Sequence, residues 1–383
     1  MTDARPFALH ADVVFDGTSA LEDRAVVIEA DHIAAVLPCR DLPMGMRWRS
    51  LPAGTWLAPG FIDVQVNGGG DVLFNDAPTP DGIAAIVAAH RRFGTTALLP
   101  TLISDTHEKM RAARQAVDAT RHPSVLGIHF EGPFLSPEKP GVHDPGMLRA
   151  PRPEDLDLLA APARGVTLVT LAPEQVPAGF VSDLVRAGVR VALGHSMASY
   201  AQTRAALAAG LTAFTHLFNA MRPLDAREPG PIAAALEDPN AYFGMIVDGF
   251  HVAPPMLRLA LRGLAKPMLV TDAMPPVGGR KIRFQLYGQE ISVEAGRCTR
   301  SDGRLAGSAL DMATAVGNCV RMLGVPLTDA LCFASAHSAD FLGLGHQLGR
   351  VAPGYRADLV AFEPENLRVL ETWVAGRATE EEA

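Results

Sequence analysis

Cysteine is scarce in this sequence: Cys39, Cys298, Cys319 and Cys332 are the only four, and no two of them stand in C-x-x-C spacing. That excludes a disulfide framework, argues against a cysteine-built structural zinc site, and leaves reduced, mostly buried thiols as the expectation. No apolar run approaches the length of about 18 residues that a membrane-spanning helix needs, so no span is expected. The first residues, MTDARPFALHADVV, lack the apolar stretch of a secretory signal. Basic residues are in deficit, 34 Lys and Arg against 42 Asp and Glu, for a formal net charge of −8. With no basic stripe, nucleic acid is excluded as a general partner, although a few local cations suffice for a small anionic substrate. Repeats and low-complexity segments are absent beyond an acidic last few residues. A cytoplasmic protein fits these absences and is the expectation.

What is present is apolar material: 48% of 383 residues are hydrophobic. That length suits one large barrel plus a smaller module. Residues 1–58 look β-rich, with ADVVFDG and AVVIEADHIAAVL reading as short strands. From Pro59 the pattern changes to strand–helix alternation. The strand candidates are FIDVQVN, TTALLPTL, VLGIHFE, VTLVTLAPE, VRVALGH, LTAFTH, YFGMIVDG and KPMLVTD. Near-continuous apolar strands separated by amphipathic helices indicate a parallel sheet buried on both faces. The expected fold is an α/β protein, a TIM-type (β/α)8 barrel over residues 59–345. A β-hairpin insertion is expected near 280–304, followed by two helices. The tail, residues 346–383, is β-like again and should join residues 1–58 in one small β-sandwich domain.

Four residues that suit a metal site close these apolar runs: Glu131, His195, His216 and Asp272. In a TIM-type barrel the strand C-termini converge on one face, and the chemistry sits there. Taken singly, Glu131 could cap a loop or pair with an Arg, and each His could be a hydrogen-bonded structural residue. Their coincidence on three strand ends favours zinc or a similar divalent ion, with one position left open for water. Asp272 suits a general base that later returns the proton to a leaving amine; a fourth metal ligand or a helix cap are its other readings. Asn219, Ala220, Asp248 and His251 follow strand ends in loops. His143 lies in the Gly/Pro-rich loop KPGVHDPG, the kind of loop that closes over ligands. Arg227, in LDAREPG, is a loop cation able to hold a phosphate or to stand solvated. NGGG at 67–70 lacks the spacing of a P-loop or dinucleotide fingerprint, and LGHSMA is not a nucleophile elbow.

With these motifs in hand, the chain resembles the amidohydrolase superfamily and, within it, the family of N-acetylglucosamine-6-phosphate deacetylases. The resemblance runs from APGFIDVQVNGGG through HFEGPFLSPEKPGVHDP, LGHS, FTHLFNAMRP, DGFH, VTDAM and LAGSALDM to GRVAPGYRADLV. It implies metal-dependent hydrolysis of N-acetyl-D-glucosamine 6-phosphate to D-glucosamine 6-phosphate and acetate, in amino-sugar catabolism and recycling. Glu131, His195 and His216 would hold one divalent ion, Zn2+ first, with Fe2+, Co2+ or Mn2+ as alternatives. Asp272 would be the acid/base, and His143 would hold and polarise the acetamido group. Val142, Asn219, Ala220, Asp248 and the Leu305-Ala306-Gly307 backbone would line the sugar site. His251 and Arg227 would meet the 6-phosphate, with Arg227 reaching the site of the neighbouring subunit in a homodimer. Most amidohydrolases carry His-x-His at the end of the first barrel strand and bind two metals. Here Gln65 and Asn67 occupy those places, and neutral amides are poor zinc ligands, so one metal is expected. Two further readings remain: a deacetylase or cyclic amidase of the same superfamily acting on another substrate, and a non-catalytic scaffold.

Overall fold

The computed structural model of the chain describes residues 5–161 and 164–379; the acidic end of the sequence lies outside them. Two compact units emerge. One comprises Val64–Ala89 and Leu98–Leu310, the other Met1–Asp63, His90–Ala97 and Asp311–Ala383 so far as these are described.

Eight strands form the barrel: β1 Phe61–Val66, β2 Thr95–Ile103, β3 Gly127–Glu131, β4 Val166–Leu171, β5 Arg190–Leu193, β6 Ala213–Phe214, β7 Tyr242–Met245 and β8 Lys266–Leu269. Each pairs with the next in chain order. The ring is nearly closed, by a single parallel bridge from Val66 at the end of β1 to Ala273 just past β8. Every residue of β1 and β2 is buried, as both faces of a parallel sheet require. Phe130, Phe214 and Phe243 are fully buried, each contributing roughly 1.5–3 kcal/mol. The first residue of β3 is a glycine, Gly127, because a Cβ there would lie 1.9 Å from the Val166 carbonyl oxygen.

Two of the helices between strands start at side-chain caps the sequence offers. Thr106 accepts from the Lys109 amide at the head of helix His107–Ala119. Ser199 and Gln202 make a reciprocal capping box on Tyr200–Ala208. Two further short helices are Pro153–Ala160 and Phe180–Arg186, neither among the helices expected from the sequence.

The segment expected as a hairpin is a four-stranded antiparallel meander: Arg283–Leu286, Gln289–Glu294, Arg297–Arg300 and Leu305–Ser308. Its first two turns, Tyr287-Gly288 and Ala295-Gly296, hold both residues at positive φ, the backbone that two-residue hairpins favour.

In the other unit, N- and C-terminal strands share one mixed sheet. Its order is Arg377–Ala378, Val369–Val374, Leu359–Phe362, Trp56–Pro59, Phe7–Phe15, Ala20–Glu29 and His32–Pro38, with Arg47–Ser50 also paired to Phe7–Phe15. Leu9, Val26, Ile28, Leu57, Leu359 and Trp373 build its core. The later of the two expected helices breaks at Ser335 into Leu327–Ala334 and Ala336–Leu342. All four cysteines are free. Among the described residues no helix is long and apolar enough to cross a membrane.

Candidate metal and active site

The strand ends deliver the expected residues to one place by an unusual backbone. Glu131 is the last residue of β3. His195, His216 and Asp272 follow β5, β6 and β8 with φ of +50°, +33° and +52°. For a residue with a Cβ this left-handed backbone costs on the order of 1–3 kcal/mol, and it persists only where surroundings impose it. Here it ends each strand at the barrel mouth.

The surroundings are a brace between two loops. The Ser196 amide donates to the Ala220 carbonyl at 3.1 Å, and the Arg222 amide to the Ser196 carbonyl at 2.9 Å. The Arg222 guanidinium donates twice to the Met197 carbonyl, at 3.0 and 2.8 Å. From the other side the Glu174 carboxylate accepts the Ser196 hydroxyl at 2.7 Å and the Met197 amide at 2.6 Å.

Glu131, His195 and His216 form a tight buried triangle. Glu131 Oε1 lies 3.1 Å from His195 Nε2 and 3.0 Å from His216 Nε2, and the two Nε2 atoms are 3.1 Å apart. His195 Nδ1 donates to the Lys139 carbonyl at 2.8 Å, which leaves a lone pair on Nε2. Three ligand atoms aimed at one point, one of them a lone pair fixed by an outer hydrogen bond, fit a divalent cation. Burial alone would raise the Glu131 carboxyl, but the hydrogen bonds and charge of His195 and His216 hold it well below the usual range.

Gln65 and Asn67 act as hydrogen-bond donors. Gln65 Nε2 spans the two carboxylates, 3.2 Å from Glu131 Oε2 and 3.1 Å from Asp272 Oδ1. Asn67 Nδ2 donates to the same Asp272 oxygen at 2.6 Å, so Oδ2 is left for proton transfer. Desolvation, then the charge of Glu131, pushes Asp272 up to about 6.

His143 Nδ1 accepts the Ser104 amide at 3.2 Å and lies 2.7 Å from the Ser104 hydroxyl. Burial, with the nearby His195 charge, takes His143 down to about 3, so the ring is neutral and presents Nε2–H as a donor. His251 is held through Nδ1 by Asp248 Oδ2 at 2.6 Å, while Asp248 Oδ1 accepts the Phe250 and His251 amides. Burial opposes ionisation of Asp248, but the His251 bond outweighs it and lowers its pKa.

The metal triangle, Asp272, His143 and His251 line one cavity of about 160 Å3. Val142, Asn219, Ala220, Leu305 and Gly307 are in the same wall. Three expected residues stand outside it. Asp248 lies behind His251 as its brace. Ala306 points into an apolar cluster with Ile103, Met274 and Ile291. Arg227 is exposed on its loop, its amide donating to Asp225. Sequence reasoning missed Ser104, Glu174 and Arg222. Ser104 follows β2 directly, so the strand-end rule that found Glu131 would have found it. Beneath the site, Thr101, His129, Thr170 and Thr215 form a buried hydrogen-bonded chain, and burial takes His129 down to about 4.

A model of the Amidohydrolase family matches residues 56–379. The chain is 43% identical over 331 residues to an N-acetylgalactosamine-6-phosphate deacetylase from Shewanella sp. (strain ANA-3), covering 85% of this chain and 83% of that protein. The crystal structure of N-acetylglucosamine-6-phosphate deacetylase from Pasteurella multocida superposes with a TM-score of 0.94 at 35% identity, covering 98% of this chain and 99% of that one. A mutant of N-acetyl-D-glucosamine-6-phosphate deacetylase from Mycobacterium smegmatis, in complex with N-acetyl-D-glucosamine 6-phosphate, matches at 0.89 and 36%, covering 98% and 99%.

Proposed function

The chain belongs to the amidohydrolase family, and from that premise we propose that it deacetylates an N-acetylhexosamine 6-phosphate, with N-acetyl-D-glucosamine 6-phosphate as substrate and acetate and the free amino sugar as products. The observation that carries this reading is the convergence of the Glu131–His195–His216 triangle with the differently set Asp272 carboxylate in one cavity.

In this reading Glu131, His195 and His216 hold one Zn2+ per chain. Bound there, the ion supplies Lewis-acid polarisation of water and of the acetyl carbonyl. Gln65 and Asn67, engaged with carboxylates, leave no imidazole for a second ion. Asp272 Oδ2 takes the proton of the attacking water and returns it to the departing amine. His143 Nε2–H donates to the acetyl oxygen as it gains negative charge. Asn219 and Ala220 border the sugar, as does the chain at Leu305 and Gly307. His251, steadied by Asp248, and Arg227 recognise the 6-phosphate; Arg227, exposed on its own chain, serves the site of a second copy in a homodimer.

A second reading changes only the sugar. The 43% identity to the Shewanella enzyme motivates the C4 epimer, N-acetylgalactosamine 6-phosphate, while a second N-acetylgalactosamine-6-phosphate deacetylase, from Escherichia coli O157:H7, stands at 35%, level with the 34% and 37% of two N-acetylglucosamine-6-phosphate deacetylases. Release of free amine from the two 6-phosphates, compared as kcat/KM, decides between them. A preference of tenfold or more, about 1.4 kcal/mol, for the galacto epimer would transfer the assignment. Turnover of neither would overturn the deacetylase reading.

A further inference from the structure

A second convergence of donor atoms lies on the sheet formed by the terminal segments. His10 is on Phe7–Phe15, Asp23 on Ala20–Glu29, and Cys39 begins the turn of 3-10 helix Cys39–Asp41 that follows His32–Pro38. His10 pairs with Ala25, and Ala25 with Leu37 on the next strand. Strand side chains alternate with a period of two. Asp23, two before Ala25, and Cys39, two beyond Leu37, therefore share the face of His10. One ligand atom from each of the three lies within 4.8 Å of the other two.

The details favour a bound cation. His10 Nδ1 lies 3.0 Å from the Ser50 hydroxyl, and the ring meets Trp48 edge-on at 6.0 Å. In the tautomer whose Nδ1–H donates to Ser50, the Nε2 lone pair faces Asp23 Oδ1 at 3.3 Å. Two electron-rich atoms at that separation need a proton or a metal ion between them. Asp23 is also held at φ +48° in mid-strand, where the register passes from Ala11–Arg24 to Val13–Glu22. Strain of this kind is commonly kept where a side chain must be aimed.

We propose that His10, Asp23 and Cys39 form a second transition-metal site, separate from the barrel mouth. It takes a zinc-like divalent ion through one nitrogen, one oxygen and one sulfur, with solvent as the fourth ligand. A mixed set including sulfur suits Zn2+ or Co2+ and disfavours Mg2+ and Ca2+, which prefer all-oxygen sites. The thiol proton leaves to solvent as the ion binds, so uptake weakens in acid. His10 and Cys39 are partly buried and Asp23 is exposed, so this ion exchanges with solvent. Tying three segments of one sheet together, it should raise thermal stability by mass action.

Sulfur makes the site separable from the barrel mouth, since Glu131, His195 and His216 contain none. Co2+ titration of the full-length protein should show two equivalents per chain and a thiolate-to-cobalt charge-transfer band. Cys39→Ser should lose the band and one equivalent while deacetylase turnover stays unchanged. Ser50→Ala, which removes only the bond orienting His10, should weaken this equivalent by about tenfold or more. Zn2+ should raise the Tm of the unaltered protein further than that of Cys39→Ser, which keeps only the barrel-mouth site. A titration without the band, or a band that survives in Cys39→Ser, overturns the proposal.

Discussion

Two carboxylates sit a few ångströms apart at the barrel mouth, and their neighbours separate their roles. Glu131 faces two imidazoles that keep it ionised, whereas Asp272 is pushed up to about 6 by desolvation and by Glu131 itself. Groups driven apart in this way are the usual signature of a ligand beside an acid/base. Asp272→Asn removes the proton acceptor and nearly keeps the shape. The expected outcome is a fall in kcat of about 100-fold or more, with metal content unchanged. Loss of metal together with activity would make Asp272 a ligand, and near-normal turnover would move the base elsewhere. Glu131, His195, His216 and Asp272 were legible in the sequence because each closes an apolar run, and strand ends converge in this architecture. The tautomer of His143 was not legible, because it depends on Ser104, 39 residues earlier. The brace on His251 was local, Asp248 three residues before it, yet the spacing alone does not distinguish a brace from a substrate contact.

Elements matter here mainly through how they stop. β5 and β6 end at histidines in left-handed backbone, and the following loops are tied to each other through Ser196, Ala220 and Arg222 and to β4's exit through Glu174. Glu174 touches neither cavity nor ligand atoms; it positions the loop that carries His195. Glu174→Ala frees the Ser196 hydroxyl and the Met197 amide. Metal affinity, read by equilibrium dialysis, should fall by about 10–100-fold, as it does when outer partners of ligands are lost. Glu174→Gln, which retains one acceptor oxygen, should recover part of that loss. Unchanged affinity in the alanine variant would show that Arg222 suffices to hold the loop. The eight barrel strands were readable as elements because burial on both faces leaves continuous apolar runs. Helices Pro153–Ala160 and Phe180–Arg186 were not read as elements. The meander was read as a single hairpin because Ala295 adopts positive φ, a conformation its side chain does not advertise.

For the whole molecule, the question is how a protein of net charge −8 attracts a phosphorylated sugar. General attraction is excluded, so local cations must supply recognition. In the proposed reading the cation is Arg227, outside the cavity and exposed, with His251 inside it as a further hydrogen-bonding partner. Arg227 does not line its own cavity, so in this reading it serves the site of a second copy, and a two-fold dimer would exchange the two arginines symmetrically. Charge-assisted bonds to phosphate are worth roughly 1.5–3 kcal/mol each. Arg227→Ala should therefore raise KM for the 6-phosphate about tenfold or more and barely alter turnover of the unphosphorylated sugar, which is expected to be poor. Equal damage to both substrates would make Arg227 structural. Subunit mixing tests the exchange itself. Asp272→Asn chains lack the base but carry Arg227, and Arg227→Ala chains carry the base but lack the arginine. In a hybrid dimer one of the two sites has both. Equal mixing makes half the dimers hybrid, so about a quarter of the low-KM sites should return from two impaired parents. If none return while mass analysis shows that hybrids have formed, Arg227 acts on its own chain or not at all.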